Sequence, residues 1–266
     1  IGLFMCLTTI VSAQFAQDCN SGLELWFNTH ISGSVDNSGP GVIEWEDVYT
    51  DAGSPGYNMS ADIGNNSTYP SLVSNAINGY DAVSFSGGDF LRCANVDGDD
   101  LHQLLAQSIY FVLQYSSTGT MPLFAHGDGS ARSIILTEGM YWGTGWRNGS
   151  NTQNSRKMSF ITPPNTSQFD IRTYLFSAAN PDLNGTSDTT DDTGFENQYY
   201  EYINGNEVNF KQGLYSRNIS SATDTAYLGA YRGNNLNATI AEVMVFRSFH
   251  DDNNLLARKE YLSYLS

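Results

Sequence analysis

Short apolar runs in a period of two, cut off by Asn-Gly and glycine-rich turns, constrain this chain more than any other feature. "GLELWF", "SIYFVLQY", "IRTYLFSAA" and "ATIAEVMVF" are rich in β-branched and aromatic residues. Side chains alternate across a β-strand, so this pattern marks strands with one or both faces buried. Asn78-Gly79 and Asn204-Gly205 supply the positive backbone angles that tight hairpin turns require. About ten to 14 strands are expected from usual strand and turn lengths. That count favours an all-β fold, a two-sheet antiparallel jelly-roll β-sandwich. "DDLHQLLAQ" reads as one or two helical turns, and the tail "DDNNLLARKEYLSYLS" as a short helix, with Asp251 or Asp252 as N-cap and Leu255, Leu262 and Leu265 on one stripe.

The 266 residues suffice for a single large domain with a substantial core, and 40% of them are hydrophobic. Lys and Arg total 12 against 28 Asp and Glu, a formal charge of -16. Such a surface repels nucleic-acid phosphates and anionic membranes, so neither is an expected partner. Residues 1–13, "IGLFMCLTTIVSA", end in the small-x-small pattern of a signal peptide and predict cleavage after Ala13. The run lacks an initiator Met and a basic start, as a signal shortened at its N-terminus would. No later stretch has the roughly 20 apolar residues of a membrane span. The mature domain is placed at residues 20–266, secreted or on the cell surface. Loss of Cys6 with the signal leaves Cys19 and Cys93, expected to pair as a disulfide in an oxidising compartment. Asn-x-Ser/Thr sequons begin at Asn58, Asn65, Asn66, Asn148, Asn165, Asn184, Asn218 and Asn237; they mark turns and are potential glycosylation points.

The order of "GLELWF", "IEWED", "NAINGYDAVSFSGGDFL", "YYEYINGNEV", "AYLGAYRG" and "ATIAEVMVF" resembles the laminin-G-like, concanavalin A-like jelly-roll domains of bacterial secreted and surface proteins. The resemblance runs from Gly22 to Leu265. It implies a binding or adhesion module, often for carbohydrate and sometimes holding calcium, in a superfamily that also contains glucanases and lyases. Fold alone does not choose among these functions.

The residues themselves speak against catalysis. Glucanases of this superfamily carry carboxylates in the order Glu, apolar, Asp, apolar, apolar, Glu, which places alternate acids in one cleft. Glu44 and Glu46 share a strand face, but Asp47 falls on the other. Glu196 and Glu201 are five apart and point oppositely. His126, Asp128 and Ser130 fall in one short turn, which is poor geometry for a relay. Calcium needs six to eight oxygen ligands, and the acidic loops with Asp97, Asp99 and Asp100 and with Asp188, Asp191 and Asp192 offer them. For sugar binding, "GMYWGTGWRNG" sets Tyr141, Trp142 and Trp146 among glycines beside Arg147 and Asn148, combining ring faces with polar groups. Trp26 and Trp45 lie in apolar strands and read as core.

Glu242 interrupts the apolar strand "IAEVMVF". Strict alternation puts it on one face with Ile240, Met244 and Phe246, and Ala241, Val243 and Val245 on the other. A buried acid requires partners, so Glu242 is expected to be a structural anchor bound to a loop amide, an Arg or an ion. Together these readings give a secreted, non-catalytic module for an extracellular glycan or surface protein. The alternatives are a structural domain of a surface adhesin without a small ligand, or a divergent polysaccharide-degrading enzyme.

Overall fold

The computed structural model describes residues 23–49, 56–61, 69–96, 106–119, 121–126, 133–136, 139–143, 155–159, 165–177, 197–213, 224–231 and 234–246. In chain order the strands begin with β1 (Leu23–Asn28), β2 (Val35–Asp36), β3 (Glu44–Trp45), β4 (Met59–Ala61), β5 (Ser71–Ile77), β6 (Tyr80–Ser86) and β7 (Leu91–Val96). The middle of the chain supplies β8 (Ala106–Tyr115), β9 (Pro122–His126), β10 (Ser133–Leu136), β11 (Gly139–Gly143), β12 (Ser155–Ser159) and β13 (Asp170–Ser177). The last are β14 (Asn197–Ile203), β15 (Asn206–Gly213), β16 (Asp224–Leu228), β17 (Ala230–Tyr231), β18 (Asn234–Asn235) and β19 (Asn237–Phe246). The described residues thus hold 19 strands rather than the expected ten to 14. The excess comes from β2, β3, β4, β17 and β18, pieces of two or three residues too short to leave a period in the sequence.

Two large antiparallel sheets result. The first has eight strands in the order β15-β14-β13-β8-β19-β6-β5, with β1 also paired to β19. The second has nine, β12-β11-β10-β9-β16-β7-β4-β3-β2. Between them lies a core built from Leu25, Phe27, Phe85, Phe111, Val243 and Val245 of the first sheet and Trp45, Met59, Leu91 and Leu228 of the second. A separate cluster on the outer face of the first sheet contains Leu23, Tyr110, Val112, Ile171, Met244 and Phe246. The first sheet is therefore buried on both faces near its centre, which is why β8 and β19 are apolar almost throughout. No helix occurs among the described residues; the expected terminal helix and the signal segment both lie outside them.

Both Asn-Gly pairs form the turns their chemistry suits. Asn78 and Gly79 have φ of 48° and 86° and join β5 to β6; Asn204 and Gly205, at 50° and 77°, join β14 to β15. Two positive angles in succession match the right-handed twist of the flanking strands.

Strand β19 departs from simple alternation. Its register with β8 shifts between Ile240 and Glu242, a β-bulge at Ala241. Ile240 consequently faces the inter-sheet core with Val243 and Val245, while Ala241, Met244 and Phe246 join the outer cluster. The expectation that Ile240 shares a face with Met244 and Phe246 is corrected by this extra residue, since a bulge changes which residues oppose one another. The same bulge divides the other side of β19: residues 237–240 pair with β6 and residues 242–246 with β1. Thr29 closes the junction, with its hydroxyl donating to the carbonyls of Asp81 and Ala241 at 2.5 and 3.0 Å. A matching shift in β1 places Leu23 outside while Leu25 and Phe27 point inward.

Candidate functional site

Three groups of polar and aromatic side chains stand out on the first sheet. The first surrounds Glu242. Trp26 pairs with Met244 and Asn28 with Glu242 across β1 and β19, so all four share the outer face. The Trp26 indole Nε1 donates to Glu242 Oε1 at 2.6 Å, and Asn28 Nδ2 donates to the same oxygen at 2.8 Å. Burial pushes the Glu242 carboxyl up to about 8, against the opposing pull of those two donors. Asp47 sits beside this group: its Oδ1 accepts from the backbone N–H of Trp26 and Tyr49 and its Oδ2 from that of Tyr57. Burial raises Asp47 to about 6 although these amides favour its charged form. The anchor thus uses an indole and a side-chain amide as its donors, in place of the expected loop amide or Arg. Trp26 is half-buried on the outer face, and Trp45 is fully buried between the sheets.

The second group is a buried ion cluster on the inner face of β13 and β14. Arg172 Nη1 donates to Glu201 Oε1 at 2.9 Å, and Arg172 Nη2 lies 3.6 Å from Asp170 Oδ2. Arg172 and Glu201 are both 0% exposed. The guanidinium carbon stands 5.5 Å from the centre of the Tyr115 ring. Asn204, at the β14–β15 turn, donates to Asp170 Oδ1 at 3.1 Å and accepts from the Ile171 N–H at 2.8 Å. Both carboxylates are therefore committed to holding β13, β14 and the hairpin turn together. Glu44 is also engaged, accepting from Asn58 and Ser60.

The third group lies on the opposite face of the same hairpin. Glu201 pairs with Tyr174, whose ring is in the inter-sheet core, so Glu201 points inward. Its neighbours Tyr200 and Tyr202 therefore point outward, and Phe210, paired with Tyr200, points outward too. The Tyr200 and Phe210 rings are 4.7 Å apart at 37°, and those of Tyr200 and Tyr202 are 6.2 Å apart at 25°. Exposure grows toward the sheet edge, from 7% at Tyr202 to 41% at Phe210. Glu207, paired with Tyr202, is exposed on this same outer face. Between Glu207 and Asn209 a bulge leaves Val208 without a cross-strand partner and 37% exposed. Among the described residues only four large hydrophobic side chains are exposed, and two of them, Val208 and Phe210, belong to this hairpin.

The aromatic segment singled out in the sequence falls elsewhere. Tyr141 and Trp142 lie on β11 of the second sheet, where they pair with Ile134 and Ser133 of β10 and with Lys157 and Arg156 of β12. Strand β11 stops at Gly143, and Trp146, Arg147 and Asn148 lie outside the described residues. So do Asp97, Asp99 and Asp100 at the end of β7 and Asp188, Asp191 and Asp192. Among the described residues no cluster of His, Cys, Asp and Glu is arranged to hold a metal ion. Of the expected Cys19–Cys93 pair, Cys19 lies outside the described residues, and Cys93 is a half-buried thiol on β7 with no disulfide among them. Burial, with Asp47 and Glu44 nearby, raises that thiol to about 11. His126, expected in a turn, is instead the last residue of β9 and fully buried, with Nε2 3.2 Å from the carbonyl of Val96, and Asp128 and Ser130 lie outside the described residues.

No family model and no curated protein matches this chain. Solved structures do. Domain 4 of AbnA, a GH43 extracellular arabinanase from Geobacillus stearothermophilus, in complex with arabinotriose, is similar at a TM-score of 0.57 and 12% identity, over 92% of this chain and 99% of that one. The binding domain of Paraclostridial Mosquitocidal Protein 1 is similar at a TM-score of 0.52 and 10% identity, over 91% of this chain. This chain spans about half of that structure, 52% of its length. At these identities the likeness establishes the β-sandwich and does not reach the laminin-G-like family.

Proposed function

We propose that this chain is a secreted, non-catalytic binding module, a jelly-roll sandwich of the laminin-G-like kind that holds extracellular carbohydrate. The observation that carries this reading is the ring pair of exposed Phe210 and half-buried Tyr200 on the edge hairpin. Ring faces give apolar contact to the C–H face of a sugar, and rings held on paired strands lose little freedom on binding. The ion cluster behind them fixes β13 against β14, which holds the rings in register. The arabinotriose complex of the arabinanase domain with a similar fold supports a carbohydrate ligand. The commitment of Asp170 and Glu201 to a buried guanidinium supports binding over hydrolysis, which needs two carboxyls flanking the scissile bond. Calcium at the Asp97, Asp99, Asp100 loop or the Asp188, Asp191, Asp192 loop, and a second ring surface from Tyr141, Trp142 and Trp146, belong to the same proposal.

A glycan array, run with calcium and with chelator, tests it. The chain is expected to retain at least one saccharide, and Phe210→Ala is expected to weaken that binding roughly tenfold, the effect of removing one ring contact. Absence of binding in both conditions would overturn the carbohydrate reading. Release of sugar from a polysaccharide would return the enzyme.

A further inference from the structure

The hairpin that carries the rings also carries a charge on the same face. Tyr202 and Glu207 are direct cross-strand partners, and Tyr200 and Phe210 form the next outward-facing pair along the hairpin. An exposed carboxylate thus stands at the rim of a two-ring surface. Asn204 and Asn206 are exposed at the turn beyond it.

This combination restricts the ligand. A carboxylate accepts hydrogen bonds and donates none, so it matches the hydroxyls of a sugar and opposes the carboxylate or sulfate of an acidic one. The chain as a whole adds to the exclusion, with a net charge of -16. We infer that the outer face of the β14–β15 hairpin binds an uncharged saccharide, stacked on Phe210 and Tyr200, with Glu207 accepting its hydroxyls and rejecting anionic sugars. This rests on the carbohydrate reading above and adds to it the site and the ligand's charge class. Phe210 and Tyr200 supply affinity; Glu207 is the specificity-determining residue.

Three families of short oligosaccharides distinguish the outcomes: neutral (arabinotriose, cellotriose, maltotriose), acidic (trigalacturonate) and amino (chitosan trimer). Titration calorimetry is carried out on the full chain and on Phe210→Ala, Tyr200→Ala and Glu207→Gln, with circular dichroism confirming that each variant is folded. A neutral trimer is expected to bind, trigalacturonate to bind at least roughly tenfold more weakly, and both ring variants to lose the neutral ligand. Glu207→Gln is expected to weaken the neutral sugar roughly tenfold, the loss of one charge-assisted hydrogen bond, and to narrow the gap to the acidic one. Equal affinity for acidic and neutral trimers, preference for the amino trimer, or neutral binding unchanged in the ring variants would overturn this inference and leave the carbohydrate reading standing. Absence of binding to every trimer and every arrayed glycan would end both.

Discussion

The indole N–H of Trp26 and the carboxylate of Glu242, 216 positions apart in the chain, meet at 2.6 Å on the outer face of the first sheet. Asn28 approaches the same oxygen, and the pairing of β1 with β19 carries all three side chains. The bulge at Ala241 makes this possible, because it turns Ile240 toward the core and leaves Glu242 in the outer row.

Replacing Glu242 by Ala removes the shared acceptor and leaves two donors without it. The expected cost is about 1 to 3 kcal/mol, the usual penalty for stranding buried polar groups. A urea melt followed by Trp fluorescence measures it. A variant as stable as the parent would show that the knot contributes nothing.

Ionisation of Glu242 gives the chain a stability slope above neutral pH. Its folded value, raised by burial to about 8, lies above its ordinary 4.5, so the folded state binds more protons than the unfolded state between the two. Stability should therefore fall as pH rises toward about 8 and level off beyond it. Asp47 acts in the same direction only up to about 6. His30, lowered by burial to about 4, acts in the opposite direction and only below its ordinary 6.5. The interval from pH 6.5 to 8 consequently isolates Glu242 among these three groups. In Glu242→Gln the melting temperature should stay level there; an unchanged slope would assign it to another group.

Breaking the Arg172–Glu201 pair should be among the costliest single changes in the described structure. Either Arg172→Met or Glu201→Leu leaves a buried charge without its partner, at about 3 to 5 kcal/mol. The double variant Arg172→Met, Glu201→Leu should recover part of that loss, because the Met–Leu pair needs no desolvation of charge while Asp170 keeps its Asn204 donor. A double-mutant cycle from denaturant midpoints checks this, and simple additivity would show that the two groups are uncoupled.

The Cys93 thiol should react slowly in the folded protein, since burial both shields it and holds it above the pH of ordinary labelling. Adding denaturant at pH 8 should speed its reaction with a chromogenic disulfide reagent at least roughly tenfold. Rapid labelling of native protein would place the sulfur at the surface.

The sequence by itself determined the all-β architecture. Alternating β-branched and aromatic runs have no other low-energy use, and both Asn-Gly pairs dictate hairpin turns through their own backbone preferences. It also marked Glu242 as an anchor, because a carboxylate in an apolar strand needs partners wherever the strand goes. Tertiary structure alone decided who those partners are. A one-residue bulge moves side chains between faces without changing the local composition, so Ile240 and Glu242 part company for reasons that lie in neighbouring strands. The ring surface was hidden for a related reason. "YYEYINGNEVNF" shows the hairpin, but the outward face of Tyr200 and Phe210 follows from Glu201 pointing inward to Arg172, 29 residues before it. A bridge to Cys93 depends on distance and direction between two backbones, which spacing along a chain does not encode.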